Sequence, residues 1–175
     1  DNLGRDIFSR LLYGGRISLM VGFVSASVAA ILGVILGAIA AFYGKRTDNI
    51  IMRILDVFMA LPQTLLAIAI SAMIGTGIKG AIIAVTVATI PRYAQAVRGP
   101  ILSIRNQEFV EAAFAIDAKD SRIVLRHILP NVLSPIIVQV TMGVGNAITM
   151  AASLSFLGLG VQPPYPEWGA MLSAA

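Results

Sequence analysis

Uncharged apolar runs alternate with short charged segments along the chain. Residues 17–43 carry no charged side chain, and at about 1.5 Å rise per residue they are longer than the roughly 30 Å hydrocarbon core of a bilayer. Residues 50–74, 81–97 and 132–157 form three more largely apolar runs. The pattern predicts an all-α integral membrane protein with about four transmembrane helices over these ranges.

Two of these runs carry local signals of their own. In residues 17–43, small residues recur every four positions, which favours close approach of another helix in lipid; they are Gly22, Ala26, Ala30 and then Gly33, Gly37, Ala41. In residues 50–74, Arg53 and Asp56 are three apart and are expected to pair near one membrane surface. Pro62 removes a backbone hydrogen bond and is expected to kink this second helix.

Composition supports a membrane class and argues against an enzyme. Hydrophobic residues make up 57% and charged residues 13% of the chain, against about 45–50% and about 25% in soluble domains. Nine acidic residues, one histidine and no cysteine provide no clustered metal ligands and no catalytic constellation. The "GTGIKG" turn lacks the spacing of a phosphate loop. We therefore expect no catalytic residue, no metal, no cofactor and no nucleic-acid partner.

The basic residues predict an orientation. Segments 44–53 and 98–130 hold more lysine and arginine than segments 1–16, 75–80 and 158–175. Because cytoplasmic loops carry the basic excess, the first two segments are predicted to lie in the cytoplasm. The chain starts without methionine and ends soon after a loop, and we expect it to be an internal piece of a larger membrane protein.

A charged segment, "EFVEAAFAIDAKDSRIVLRHILPN", lies between the last two apolar runs. Phe109, Val110, Ala113 and Phe114 share one side of a short helix that is predicted to begin near Asn106. Asp120 is predicted to cap a second short helix, which Pro130 ends. The loop over about 99–130 is therefore two short helices at the membrane surface, either resting on lipid headgroups or serving as a docking site for a soluble partner.

This segment resembles the cytoplasmic EAA loop of bacterial ABC-importer permeases. The match includes "LGRDIFSRLLYGGRISL", "RGPILSIRNQEFVEAA" and "LSFLGLGVQPPYPEWGAML", which are similar to the subfamily that imports dipeptides, oligopeptides and nickel. Two positions depart from the family pattern. Asp117 stands where the family has glycine, and Gln95 stands where relatives often have arginine.

The resemblance implies that residues 1–175 are a partial ABC transmembrane type-1 permease domain, and it implies a transport mechanism. A second permease subunit would complete the pathway, two cytosolic ABC ATPase subunits would hold the two EAA loops, and an extracytoplasmic solute-binding protein would deliver the substrate. The protein would lie in the bacterial inner membrane as a multi-pass subunit, and its partner ATPases would hydrolyse ATP. The residues implied for ATPase coupling are Glu111, Ala112, Ala113 and Asp117. The substrate would be a di- or oligopeptide, with nickel as another member of the class.

The segment "LGLGVQPPYPEWG" at 157–169 is predicted to form an irregular turn on the outer side. Trp168 is placed like an interface anchor. The resemblance implies that this loop is part of an outer mouth where the binding protein docks, with Gly158, Gly160, Pro163 and Trp168 as its residues. A plain loop with an aromatic anchor fits the same pattern.

Two other function classes compete with the importer. A non-transporting membrane scaffold or assembly subunit fits the scarcity of ionisable residues inside the spans. An ion-driven secondary transporter would need acids near the membrane midplane. Asp56 is the one acid inside a predicted span, and it lies near the cytoplasmic end.

Overall fold

The computed structural model describes residues 4–162 and 164–174, and these residues form helices and connecting turns, with no strand among them. A π-helical turn at Val124–Ile128 and a 3-10 turn at Leu129–Val132 join the sixth helix to the seventh. In chain order the helices are α1 (Ile7–Tyr43), α2 (Lys45–Met59), α3 (Gln63–Ile74), α4 (Ile78–Arg105), α5 (Glu108–Ala115), α6 (Asp120–Ile123), α7 (Leu133–Phe156) and α8 (Trp168–Ser173).

Three helical segments of the described chain are long and apolar enough to cross a membrane. They are Ile7–Tyr43, Ile78–Arg105 and Asp120–Phe156. The pair formed by α2 and α3 supplies a fourth if it is counted as one broken span. The predicted class, an all-α membrane protein with about four spans, is confirmed.

The second predicted span is broken instead of kinked. The α2 and α3 axes differ by 87°, and Pro62 adopts an extended conformation with ψ 129° immediately before α3. Proline disfavours the helical conformation at the residue before it and suits the start of a helix, so Pro62 begins a new helix here. Asp56 accepts a hydrogen bond from Gln95 Nε2 at 3.1 Å; its predicted pairing with Arg53 is not seen in the structure.

The second short helix of the charged segment also differs from its prediction. Lys119 precedes α6, and Asp120 is its first residue instead of its cap. Pro130 lies in the first turn of the 3-10 segment, and helical backbone continues past it into α7. Proline is tolerated at the first turn, where its missing N–H has no helical partner to lose, so it does not end the helix.

The described residues fall into two compact units. The first unit is Asp1–Ala29, Leu61–Thr89 and Met142–Ala175, and the second unit is Ala30–Ala60 and Ile90–Thr141. The first unit includes residues 75–80 and 158–175, and the second includes 44–53 and 98–130. The two groups of loops that the charge pattern separates therefore belong to different units.

The small residues of α1 lie at close helix contacts inside each unit. In the second unit, a Cβ on Gly33 would overlap Tyr93 Cβ, and a Cβ on Gly37 would overlap the carbonyl oxygen of Ala94. In the first unit, a Cβ on Gly22 would overlap Ile148 of α7. Glycine at these positions lets backbones approach closely, as the four-residue spacing predicts.

Candidate functional site

Helix α5 is anchored by one apolar face. Val110 is 0% and Ala113 is 5% exposed, and both belong to the buried core of the second unit. Ile101 of α4 and Phe42 of α1 lie in the same core, and the rings of Phe42 and Phe114 stack with centroids 5.8 Å apart. The predicted inner face is thus correct for Val110 and Ala113, which fix α5 against α1 and α4. Phe109 and Phe114, predicted for the same face, are 40% and 43% exposed.

The opposite face of α5 carries the exposed part of the E-A-A triplet. Glu111 and Ala112 are exposed, as is Glu108 one turn earlier. Ala113 is buried in the core and offers no surface to a partner, although the family resemblance implies a coupling role for it. The exposed face therefore combines acidic side chains with a small one.

Asp117 ends α5 in a left-handed conformation, with φ 55°. The Ala118 N–H donates to Ala113 O at 3.2 Å and the Asp117 N–H donates to Phe114 O at 3.0 Å. This pair of bonds is the Schellman arrangement, which usually has glycine at the left-handed position. The turn expected at the family glycine is therefore made with aspartate, and Asp117 is exposed.

An ion pair that the sequence did not signal joins α2 to α4 in the second unit. Arg98 donates to Asp48 from Nε to Oδ1 at 2.6 Å and from Nη2 to Oδ2 at 2.5 Å. The two residues are 50 positions apart. Short-range spacing, the signal used for Arg53 and Asp56, cannot reveal a pair at that separation.

The outer-loop residues lie in the first unit. Gly158 has φ 77°, and a Cβ on Gly160 would overlap Ser155 Oγ, so both positions require glycine.

The same loop is hydrogen-bonded to α3 and to the turn after it. Gly160 O accepts from the Gly77 N–H at 2.8 Å, and Leu159 O accepts from Ser71 Oγ at 2.8 Å. The two loops predicted to share one side are thus bonded to each other. Pro163 lies outside the described residues.

Trp168 and Glu167 attach α8 to the start of α1. Trp168 Nε1 donates to Leu11 O at 3.0 Å, and a Cβ on Gly15 would come within 3.0 Å of the indole ring. Glu167 is 1% exposed; its Oε1 accepts from Ser18 Oγ at 3.0 Å and its Oε2 accepts from the Ala170 N–H at 2.9 Å. The pairing of Glu167 with Ser18 is not predictable from the sequence, because an acid in an irregular loop normally faces solvent.

These features define an all-α membrane protein whose exposed short helix, α5, is anchored on a buried core. The chain belongs to the family of binding-protein-dependent transport system inner membrane components, which matches residues 33–175.

Curated relatives agree with this assignment. The chain is 51% identical over 173 residues to the dipeptide transport system permease protein DppC of Alkalihalophilus pseudofirmus strain OF4, covering 99% of this chain and 57% of that protein. It is 53% identical over 175 residues to the glutathione transport system permease protein GsiD of Escherichia coli O6:K15:H31, covering 100% of this chain and 58% of that protein. The chain thus spans a little over half the length of these relatives.

The fold is also found in a solved transporter. An inward-facing structure of the MetNI methionine ABC transporter superposes with a TM-score of 0.78 at 22% identity, covering 96% of this chain and 86% of that chain. At this identity the likeness concerns the fold alone. It agrees with the helical membrane architecture described above.

Proposed function

We propose that the chain is part of the permease subunit of an ATP-driven importer in the bacterial inner membrane. The subunit pairs with a second permease subunit, receives substrate from an extracytoplasmic solute-binding protein and is driven by two cytosolic ABC ATPases. The family match and the two permease relatives support this proposal. ATP hydrolysis belongs to the partner ATPases.

The observation that carries the coupling role is the two-faced character of α5. Val110 and Ala113 hold its inner face in the core, while Glu111 and Ala112 are exposed. A small side chain at the centre of the exposed face lets a groove on the ATPase approach the helix backbone closely, and Glu111 adds a charge for a basic residue there. A force on this face passes to α1 and α4 through the buried contacts. Asp117 shapes the turn that follows.

The outer loop is the proposed contact for the binding protein. Gly158 and Gly160 shape the turn of this loop, and Trp168 attaches α8 to α1 within the first unit. This assignment places residues 44–53 and 98–130 in the cytoplasm and residues 75–80 and 158–175 outside. The chain then crosses the membrane with α1, with the α2–α3 pair, with α4 and with α7.

The substrate class that we propose is small peptides. The relatives compared above are a dipeptide permease and a glutathione permease, and both substrates are peptides. Nickel, the other substrate that the sequence resemblance admits, has no such support. Uptake of a labelled dipeptide into proteoliposomes holding the assembled complex, with nickel uptake measured in parallel, tests this choice. Nickel uptake without peptide uptake would reverse it.

Disulfide crosslinking tests the coupling face. The full-length protein, freed of other cysteines, receives Ala112→Cys, and the candidate ATPase receives one cysteine in its groove. We expect a crosslink whose yield changes with ATP, because Ala112 lies on the exposed face. The matched variant Ala113→Cys should crosslink poorly, since its side chain is buried.

Two outcomes would contradict the coupling role. One is the absence of a crosslink from Ala112→Cys while both proteins are folded and present. The other is equal crosslinking from both cysteine positions, which would mean that α5 has no fixed inner and outer face in the assembled complex.

A further inference from the structure

Two cavities meet at the segment that follows α5 in the second unit. The first has a volume of about 290 Å³ and lies between the end of α1 and residues 120–129. The second has a volume of about 620 Å³ and is lined by residues 116–126. Ser121 and Leu125 line both cavities, so the two spaces share a wall.

The first cavity is apolar and open along one side. Val34, Ile35 and Ile39 of α1 face Val124 and Leu129 across it. Ile35 and Ile39 are exposed, so the cavity is a groove on the surface of a helix that spans the membrane. Lipid chains surround such a surface, and a groove of this size is close to the lower bound of roughly 300 Å³ for ligand pockets.

The groove ends at polar side chains. Tyr43, the last residue of α1, and Asp120 line the same cavity. Tyrosine is enriched at the level of lipid headgroups. This end of the groove therefore marks the membrane interface.

The second cavity is basic. Lys119, Arg122 and Arg126 line it, with Asp117 as its one acidic residue. The three basic side chains are exposed. Within the described residues the one salt bridge found is between Arg98 and Asp48, so none of the three basic side chains is ion-paired with a described acid. The cavity keeps a net positive charge beside the mouth of an apolar groove.

We propose that the two cavities together bind one anionic phospholipid. An acyl chain occupies the groove between α1 and residues 124–129, and the phosphate lies against Arg122, Arg126 and Lys119. Basic pockets beside membrane helices suit anionic headgroups, and guanidinium groups bind phosphate through paired hydrogen bonds. An acidic partner protein would satisfy the basic residues but would leave the adjoining apolar groove empty, so the combination favours lipid.

The site connects the membrane to the turn after α5. Residues 116–132 form the link between α5 and α7, and residues 116–126 line the basic cavity, so a bound lipid holds that link against α1. One part of the proposal rests on the proposed function: the orientation given there assigns the lipid to the cytoplasmic leaflet. Lipid binding is measured without ATP or transport, so its failure and a failure of the coupling role are separate results.

Photolabelling of the purified full-length complex tests the site. The probe is phosphatidylglycerol with a photoreactive group in its acyl chain, in neutral phosphatidylcholine, and labelled peptides are located by mass spectrometry. We expect labels within residues 34–43 and 124–129. The double variant Arg122→Gln/Arg126→Gln should reduce labelling by roughly tenfold or more, since each basic residue near the surface contributes to anionic-lipid binding.

Matched variants separate this site from general electrostatic attraction. Arg46→Gln/Arg53→Gln removes the same charge from exposed positions of α2. It should leave labelling within twofold of the unmodified protein, which is less than the effect of losing one basic residue near the lipid. Ile35→Trp should block the groove, whereas Ile31→Trp, one turn away and outside the cavity lining, should not. Unchanged thermal midpoints show that each variant is folded.

Four results would contradict lipid binding at this site. Equal labelling in the Arg122/Arg126 variant and the unmodified protein overturns the proposal. So does labelling that phosphatidylcholine carrying the same photoreactive group reproduces, because charge would then play no part. Competition by inorganic phosphate alone would assign the basic cavity to a free anion. Loss of ATPase binding with unchanged labelling would assign it to a protein partner.

Discussion

The guanidinium of Arg98 binds both carboxylate oxygens of Asp48, at 2.6 and 2.5 Å. Such a paired contact fixes orientation as well as distance. Asp48 lies in the first turn of α2, and Arg98 lies in α4, which ends at Arg105 before α5 begins at Glu108. The pair therefore holds α2 against the part of α4 that leads into α5.

Removing this charge pair tests its contribution to stability. The side chains of Arg98 and Asp48 are 36% and 13% exposed, so the ion pair is partly buried. We expect Asp48→Asn to lower the free energy of unfolding by about 1–3 kcal/mol, because it removes a charge-assisted hydrogen bond from a partly buried arginine. Unfolding in mixed detergent micelles measures this change.

A double-mutant cycle isolates the interaction. Arg98→Gln added to Asp48→Asn should cost little more than the single change, since the partner is already lost. Arg46→Gln, at an exposed position of the same helix α2, should change stability by less than about 0.5 kcal/mol. Additive effects of the two substitutions would show that the ion pair is energetically unimportant.

The turn at Asp117 predicts a stabilising substitution. Its φ of 55° is strained for a residue with a Cβ and unstrained for glycine. We expect Asp117→Gly to raise the free energy of unfolding by about 0.5–1 kcal/mol, and Asp117→Val to lower it by about 1–2 kcal/mol. Lys119→Gly, at a residue with φ −59°, should give no gain. A gain at both positions would attribute the effect to chain flexibility instead of the turn.

Two helical glycines should respond to alanine in opposite directions. A Cβ on Gly37 would overlap the Ala94 carbonyl oxygen, whereas a Cβ on Gly145 of α7 would meet no atom within 4 Å. Gly37→Ala is expected to cost about 1–3 kcal/mol by overpacking. Gly145→Ala should stabilise the protein by about 0.5–1 kcal/mol, because alanine is the better helix former. Equal effects would mean that α1 and α4 do not pack closely in the second unit.

The predictable part of the fold comes from patterns that are local in sequence. Long uncharged runs require helices in a membrane, since only helices satisfy their own backbone groups there. The inner face of α5 was likewise readable, because Val110 and Ala113 are three positions apart on one side of a short helix. The glycine spacing of α1 predicted close contacts, and Gly37 lies at one of them.

The parts that escaped prediction depend on tertiary contacts. Proline permits either a kink or a break, and the sequence around Pro62 does not decide between them. Arg98 and Asp48 are 50 positions apart and Ser18 and Glu167 are 149 apart, so no helical spacing relates either pair. Glu167 lies in an irregular segment, where composition predicts exposure, and it becomes buried only because α8 folds back on α1.

The buried carboxylate of Glu167 predicts a local loss of order when it is removed. Glu167→Ala leaves the Ala170 N–H and the Ser18 hydroxyl without their acceptor, which costs about 1–3 kcal/mol. Hydrogen exchange at residues 170–173 should therefore accelerate. Glu167→Gln keeps one acceptor oxygen and should have a smaller effect. Glu108→Ala, at an exposed acid of α5, should leave exchange in α8 unchanged. If Glu167→Ala also leaves it unchanged, the short helix is held by Trp168 and its contact with Leu11 instead.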